Sequence, residues 1–205
     1  MTSVSFVDRG RAPASDVLAD AAAGLLPEWS VVSDPRRGHI LRVADLMVSW
    51  ARRLGLGDDE THRWRAVAIL HDALRDEDPE RLGESLPDPF RRWPPRLRHG
   101  PAVAARLEQS AVHDAELLDA IRYHTTGHER FGRLGFALFA ADWLEPGRTH
   151  DPVGRAALCA RMPEALDDIV LEILRSRLAR SVQRNDPIQP ETLGFWHRMI
   201  GELRG

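Results

Sequence analysis

Six side chains carry the chemistry this sequence can offer: His39, His71, Asp72, His99, His124 and Asp142, spread over about half the chain. Neutral imidazole and carboxylate are the groups that hold manganese, iron, zinc or magnesium, and several helices of a bundle can aim them at one point. The His71-Asp72 doublet offers a nitrogen and an oxygen ligand from one short segment, and its carboxylate could bridge two ions. A lone histidine on an apolar face is more often a hydrogen-bonded core residue than a ligand. Two features shift that balance: Asp72 is costly to bury unpaired, and other histidines of the set stand beside glycines or prolines at element boundaries. The remaining histidines, His62, His113, His128, His150 and His197, lie among polar neighbours and are expected to face solvent.

Such ligands need rigid elements to position them. The hydrophobic spacing reads helix after helix, with no sustained period-2 run of β-branched residues, so the fold class is all-α. A first helix is expected from Ser15, as N-cap, to Leu26. The second follows Asp34-Pro35, aligns Ile40, Ala44, Met47, Val48 and Ala51, and stops at Gly55, with His39 one residue ahead of the stripe. A third, capped near Asp58, sets Val67, Leu70, His71 and Leu74 at i, i+3, i+4 and i+7, which turns His71 toward the core. From Arg75 to Arg98 the pattern gives way to a Pro- and charge-rich connector with one helical turn around Phe90 to Trp93, placed so that it could cover a site as a lid. Further helices are expected over Pro101 to Ser110, Asp114 to His124, Gly132 to Trp143, Pro163 to Ala179 and Pro190 to Arg204, the last two amphipathic and without evident chemistry.

A chain of 205 residues, 43% of them hydrophobic, can bury one good core, so a single domain over residues 13–205 is expected behind a loose extension of residues 1–12. The longest apolar runs, such as Phe136 to Ala141, fall far short of the roughly 20 residues of a membrane span, and no signal-peptide layout opens the chain. A cytoplasmic protein is expected. The single cysteine, Cys159, excludes an intramolecular disulfide and a cysteine-based zinc cluster, so any metal falls to histidine and carboxylate. A net charge of −3 argues against a broad nucleic-acid footprint while leaving room for a local basic pocket. There is no lysine, so all 28 cationic residues are arginine and any one arginine says less than usual.

The runs Arg36-Arg37-Gly38-His39-Ile40-Leu41-Arg42-Val43-Ala44, Leu70-His71-Asp72, His99-Gly100-Pro101, Ala120-Ile121-Arg122-Tyr123-His124-Thr125-Thr126-Gly127 and Ala141-Asp142-Trp143-Leu144-Glu145-Pro146-Gly147-Arg148 resemble the bacterial HD-domain family of symmetrical dinucleoside tetraphosphate hydrolases. Order and approximate spacing match from Arg36 to Glu191. The last two runs are far more specific than the bare His-Asp doublet. The resemblance implies a single HD-domain helical bundle with two metal ions, expected to be iron, with manganese, magnesium and zinc as alternatives. It puts His39, His71, Asp72 and Asp142 around one ion and Asp72, His99 and His124 around the other. It also implies cleavage of diadenosine tetraphosphate in the middle to two ADP, and is compatible with a homodimer. Two positions depart from the family pattern: Arg75 stands where a lysine is common, and His128-Glu129 stand where a basic residue usually follows the threonine-glycine turn.

A tetraphosphate is polyanionic, so the site should also present cations and donors. Asp72 and Arg75 are the candidate catalytic residues, and the planar fork of Arg148 suits bidentate phosphate contact. Thr125, Thr126, Gly100 and His128 complete the candidate substrate-binding set. The expected partner is a small nucleotide, with neither nucleic acid nor membrane. Two alternatives compete. Another HD-type phosphohydrolase, acting on a deoxynucleotide or guanosine tetraphosphate, would leave His99 and His124 superfluous, and a non-catalytic nucleotide sensor would not need the full ligand set. The Gly-Tyr-Pro signature of cyclic-dinucleotide phosphodiesterases is absent.

Overall fold

The computed structural model describes residues 16–202. The expected extension over residues 1–12, the Ser15 cap and the helix end at Arg204 lie outside the described residues. Among those residues there are ten α-helices and no strand. α1 (Val17–Ala22) is capped by the Asp16 carboxylate, which accepts from the N–H groups of Leu18 and Ala19. α2 (Asp34–Arg53) buries Ile40, Val43, Ala44, Met47, Trp50 and Ala51 along one stripe. Gly24 and Gly55, at φ +93 and +71, turn the chain away after these two helices, which leaves α1 shorter than the spacing predicts.

α3 (Asp58–Leu70) gathers Asp58, Asp59 and Glu60 in its first turn, where the helix dipole favours negative charge. It does not run on to Leu74. The Ala73 carbonyl accepts from the N–H of Val31 at 2.8 Å, and the Asp76 N–H donates to the Val31 carbonyl at 3.2 Å, so another segment takes up backbone groups that a continued helix would have used. The connector contains a helix of its own, α4 (Pro79–Ser85), with Asp78 accepting from the Glu80 N–H at 2.9 Å, followed by 3₁₀ turns at Phe90–Arg92 and Pro95–Leu97. Leu82, Leu86 and Trp93 are buried in the core, which makes the connector a packed wall.

The remaining helices are α5 (His99–Gln109), α6 (Ala115–Tyr123), α7 (Arg133–Leu144), α8 (Pro152–Ala160), α9 (Leu166–Arg184) and α10 (Pro190–Glu202). α7 is buried on nearly every side, as an interior helix must be, and α2, α3, α6, α8 and α9 pack around it. α9 starts three residues after Pro163 and continues past Ala179, which brings Arg180 and Arg184 onto the helix. None of the helices among the described residues is long and apolar enough to cross a membrane.

Candidate metal centre

Five helices bring the six candidate ligands to one place. His39 rides on the second turn of α2, His71 and Asp72 directly follow α3, and His99 opens α5. His124 directly follows α6, and Asp142 lies in the last turn of α7. All six are buried. The two oxygens of Asp72 face different partners. Oδ1 lies 3.1 Å from His99 Nε2 and 3.4 Å from His124 Nε2. Oδ2 lies 3.5 Å from His71 Nε2 and 3.7 Å from His39 Nε2. Asp142 joins the second set, its Oδ1 3.1 Å from His39 Nε2. Two groups with ligand atoms in metal-binding proximity result, His39-His71-Asp72 and Asp72-His99-His124, sharing one carboxylate.

Close packing makes this meeting achievable. A Cβ on Gly100 would come within 2.8 Å of the Ile121 carbonyl oxygen and 3.2 Å of His124 Nδ1, so only glycine lets the start of α5 approach the end of α6. The Nδ1 atoms are then engaged by neighbours: His71 with the Ala68 carbonyl at 2.7 Å, His124 with the Ile121 carbonyl at 2.8 Å, and His39 with Glu145 Oε1 at 3.1 Å. Each contact is satisfied by an Nδ1–H donor, which leaves the Nε2 lone pair pointing inward. Nε2 of His39 and of His71 is buried without a hydrogen-bond partner among the described residues, and Nε2 of His99 and of His124 lie 3.2 Å apart. Orphaned imidazole nitrogens crowded on an ionised carboxylate fit a metal centre.

The charge states agree. Burial pushes the His71 pKa down to about 4 against the pull of Asp72, and burial lowers His99 against the same pull, so both rings are neutral at pH 7, the state a metal ligand needs. Burial alone would raise Asp72 and Asp142, but neighbours outweigh it. His71, His124 and His99 hold Asp72, and His39 and Arg148 hold Asp142, well below the usual carboxylate range. A stability consequence follows from His71. In the unfolded chain the ring titrates near its ordinary value of about 6.5, so between that pH and about 4 the unfolded state binds a proton that the native state refuses. The metal-free protein is therefore expected to lose stability as pH falls through this window, by about 3 kcal/mol at most from this ring. Denaturant melts of chelator-treated protein between pH 7 and pH 4 check it; a pH-independent midpoint would contradict it.

Above the ligands opens a cavity of about 720 Å³ lined by seven arginines and only two aspartates. Of the substrate and catalytic candidates, Asp72, Arg75, Thr125 and Arg148 line it. Arg75 donates to the Arg96 carbonyl at 3.2 Å, and the buried Thr125 Oγ1 has no partner among the described residues. Arg148 is tied to the protein: its Nη2 donates to Asp142 Oδ1 and, at 2.9 Å, to the Asp142 carbonyl, so it steadies the end of α7. Gly100, Thr126 and His128 do not line the cavity. Gly100 serves the helix approach described above. The Thr126 hydroxyl donates to the Tyr123 carbonyl, and its own carbonyl accepts from Thr192 Oγ1 at 2.9 Å. His128, expected to face solvent, is buried, its ring centroid 4.2 Å from that of Tyr123 and its Nδ1 accepting from the Arg130 N–H at 3.0 Å. Beyond Arg75, no connector residue lines the cavity, so the anticipated lid is not formed.

Three functional candidates escaped the sequence reading. Arg36 Nη1 donates to Asp72 Oδ2 at 2.8 Å. Glu145 accepts from Arg42 Nε at 2.6 Å while orienting His39. Arg177 stacks 4.2 Å from the Phe139 ring centre, donates to the Thr125 carbonyl at 2.6 Å and comes within 3.6 Å of Asp142 Oδ2. Arg36 and Glu145 stand inside the recognised runs and were within reach; Arg177 stands on a helix with no motif. Glu145→Ala would strand both Arg42 and the His39 Nδ1–H, and is expected to weaken metal affinity about 10- to 100-fold. Titration against a competing chelator measures this, and unchanged affinity would reduce Glu145 to a helix-end residue.

This all-helical frame with paired His/Asp groups on one carboxylate defines a class. The HD domain family matches residues 36–147, over half of the chain. The chain belongs to the HD domain family and is a phosphohydrolase of it. Among individual proteins it is 28% identical over 166 residues to the symmetrical bis(5'-nucleosyl)-tetraphosphatase of Staphylococcus aureus, covering 78% of this chain and 84% of the relative. The Bacillus subtilis protein of the same name is 26% identical over 175 residues, covering 82% and 91%. A solved structure from Clostridium acetobutylicum, described as a predicted HD superfamily hydrolase involved in NAD metabolism, shares the fold with a TM-score of 0.71 at 23% identity, over 91% of this chain and 97% of that one.

Proposed function

We propose that this chain is a metal-dependent hydrolase that cleaves diadenosine tetraphosphate symmetrically to two ADP. The observation that carries the reading is the division of Asp72, whose two oxygens serve two separate histidine groups. His39, His71, Asp72 and Asp142 would hold one ion and Asp72, His99 and His124 a second, with iron the first expectation. Ions held there supply Lewis acidity, which makes water a usable nucleophile at neutral pH and neutralises charge developing on phosphoryl oxygens. The protein's own part is positional and electrostatic. Asp72 has both oxygens engaged, so its role is to hold and neutralise rather than to carry a proton. Arg75 and Arg148 both line the cavity over the centre, Arg148 beside Asp142, and supply cations there. Thr125 lines the same cavity, with a hydroxyl that has no partner among the described residues. The curated relatives that share most of their length with this chain bear the name of this reaction.

Metal analysis of protein purified without chelators, paired with product analysis on diadenosine tetraphosphate, tests the reading. Bound metal and ADP as the first product are expected. Turnover that survives complete metal removal, or faster release of inorganic phosphate from mononucleotides, would overturn it.

A further inference from the structure

The cavity extends beyond the stretch matched by the HD family, and its outer wall is built from α8 and α9. Arg155 on α8 is only 8% exposed. Its Nε donates to the His150 carbonyl at 2.7 Å, and its guanidinium carbon lies 3.8 Å from the centre of the Trp143 ring, which fixes the plane of the fork. Its Nη1 is buried and has no hydrogen-bond partner among the described residues. A buried cationic donor left unpaired is costly, and the cost is relieved if an anion completes the pair.

The neighbours sharpen this imbalance. Burial lowers the pKa of Arg155 and of Arg177, and the nearby Arg148 charge lowers both further against the pull of Asp142. The acids within reach are already engaged: Asp142 by Arg148, Glu145 by Arg42 and His39, and Asp151 by the Gly154 N–H. Further along α9, Arg177, Arg180 and Arg184 fall at i, i+3 and i+7, and all three line the cavity. That face spans about 10 Å at the helical rise, long enough to follow a chain of linked phosphates rather than one group. The Asp142 contact ties its near end to the candidate metal centre.

We propose that Arg155, Arg177 and Arg180 form a second anion subsite, which grips the phosphates remote from the bond being cut and so makes the enzyme favour long phosphate chains over short ones. The identity of the ligand as a nucleoside polyphosphate rests on the function proposed above; the subsite itself does not. Guanidinium forks on phosphate oxygens are the recognition chemistry, and Trp143 and Phe139 keep two of those forks flat against the wall.

The test is calorimetric binding of inorganic tripolyphosphate to the protein as purified, in wild type, Arg155→Met and Arg180→Ala, with metal content and melting temperature recorded. Arg155→Met keeps an unbranched side chain against Trp143, and Arg180 is exposed, so its loss leaves the fold intact if the buried substitution does not. Tripolyphosphate affinity is expected to fall about tenfold or more in each variant, at unchanged metal content. The preference in kcat/KM for diadenosine tetraphosphate over the triphosphate is expected to shrink, mainly through KM. Wild-type tripolyphosphate affinity in Arg180→Ala, and in Arg155→Met where that variant folds, would overturn the subsite. If wild type fails to cleave the tetraphosphate yet the variants lose tripolyphosphate binding, the subsite holds and the proposed reaction falls.

Discussion

Asp72→Ala is expected to abolish both metal retention and hydrolysis, and to do so more completely than any single histidine substitution in the cluster. The reason is its place between the two groups: it is the one residue common to His39-His71-Asp72 and Asp72-His99-His124. Losing an outer partner of a metal ligand costs about 10- to 100-fold, so removing a ligand shared by two ions should cost well over 100-fold in turnover. His71→Ala should also inactivate, but it strips a ligand from one group only. The alanine variant leaves Arg36 without its 2.8 Å partner and empties the space that four imidazoles surround, so circular dichroism should accompany the assay. Metal content by mass spectrometry is the deciding measurement. A folded Asp72→Ala protein with unchanged metal count and full activity would end the shared-carboxylate reading.

That carboxylate was legible in the sequence because the doublet is local, whereas its division between two partners is a property of five helices. The same contrast runs through the fold. α2 was readable from its stripe and from Gly55, and α6 from Asp114, which caps it by accepting from the Leu117 N–H at 3.0 Å. α4 and α8 were not, although each opens on Asp-Pro as α2 does. Proline in a charged stretch reads as a breaker, yet at the first helical turn it costs no hydrogen bond and the preceding aspartate supplies a cap. α3 was overextended because its apolar spacing continues to Leu74, while the backbone partners that end it come from Val31, which no local pattern reveals. Arginine usage hid the rest. With every cation an arginine, Arg177 and Arg180 look like the solvated face of an amphipathic helix, and only the tertiary fold turns them onto the cavity beside Arg148.

With diadenosine tetraphosphate in oxygen-18 water, the first product is expected to be ADP, with label in half of the ADP molecules and none in AMP or ATP. The argument is one of placement. The two histidine groups meet on the one carboxylate of Asp72, so ions held there would sit together at one point of the phosphate chain, and a symmetrical tetraphosphate centred on them would present the bridge between its second and third phosphates. The water oxygen then bonds to an inner phosphorus, the bridge between the second and third phosphates breaks, and the bridging oxygen leaves on the other ADP as protons are released. One labelled and one unlabelled ADP form per event. Cleavage of an outer bridge would give AMP plus ATP, with the label in AMP where water attacked the outer phosphorus and in ATP where it attacked the adjacent inner one. Mass analysis before secondary cleavage separates the outcomes. The products report where the chain is centred: two phosphates on each side of the Asp72 groups give ADP, and a shift by one phosphate gives AMP plus ATP. AMP plus ATP as the main products would mean that the one-sided wall of α8 and α9 arginines, rather than the Asp72 groups, sets the register of the chain.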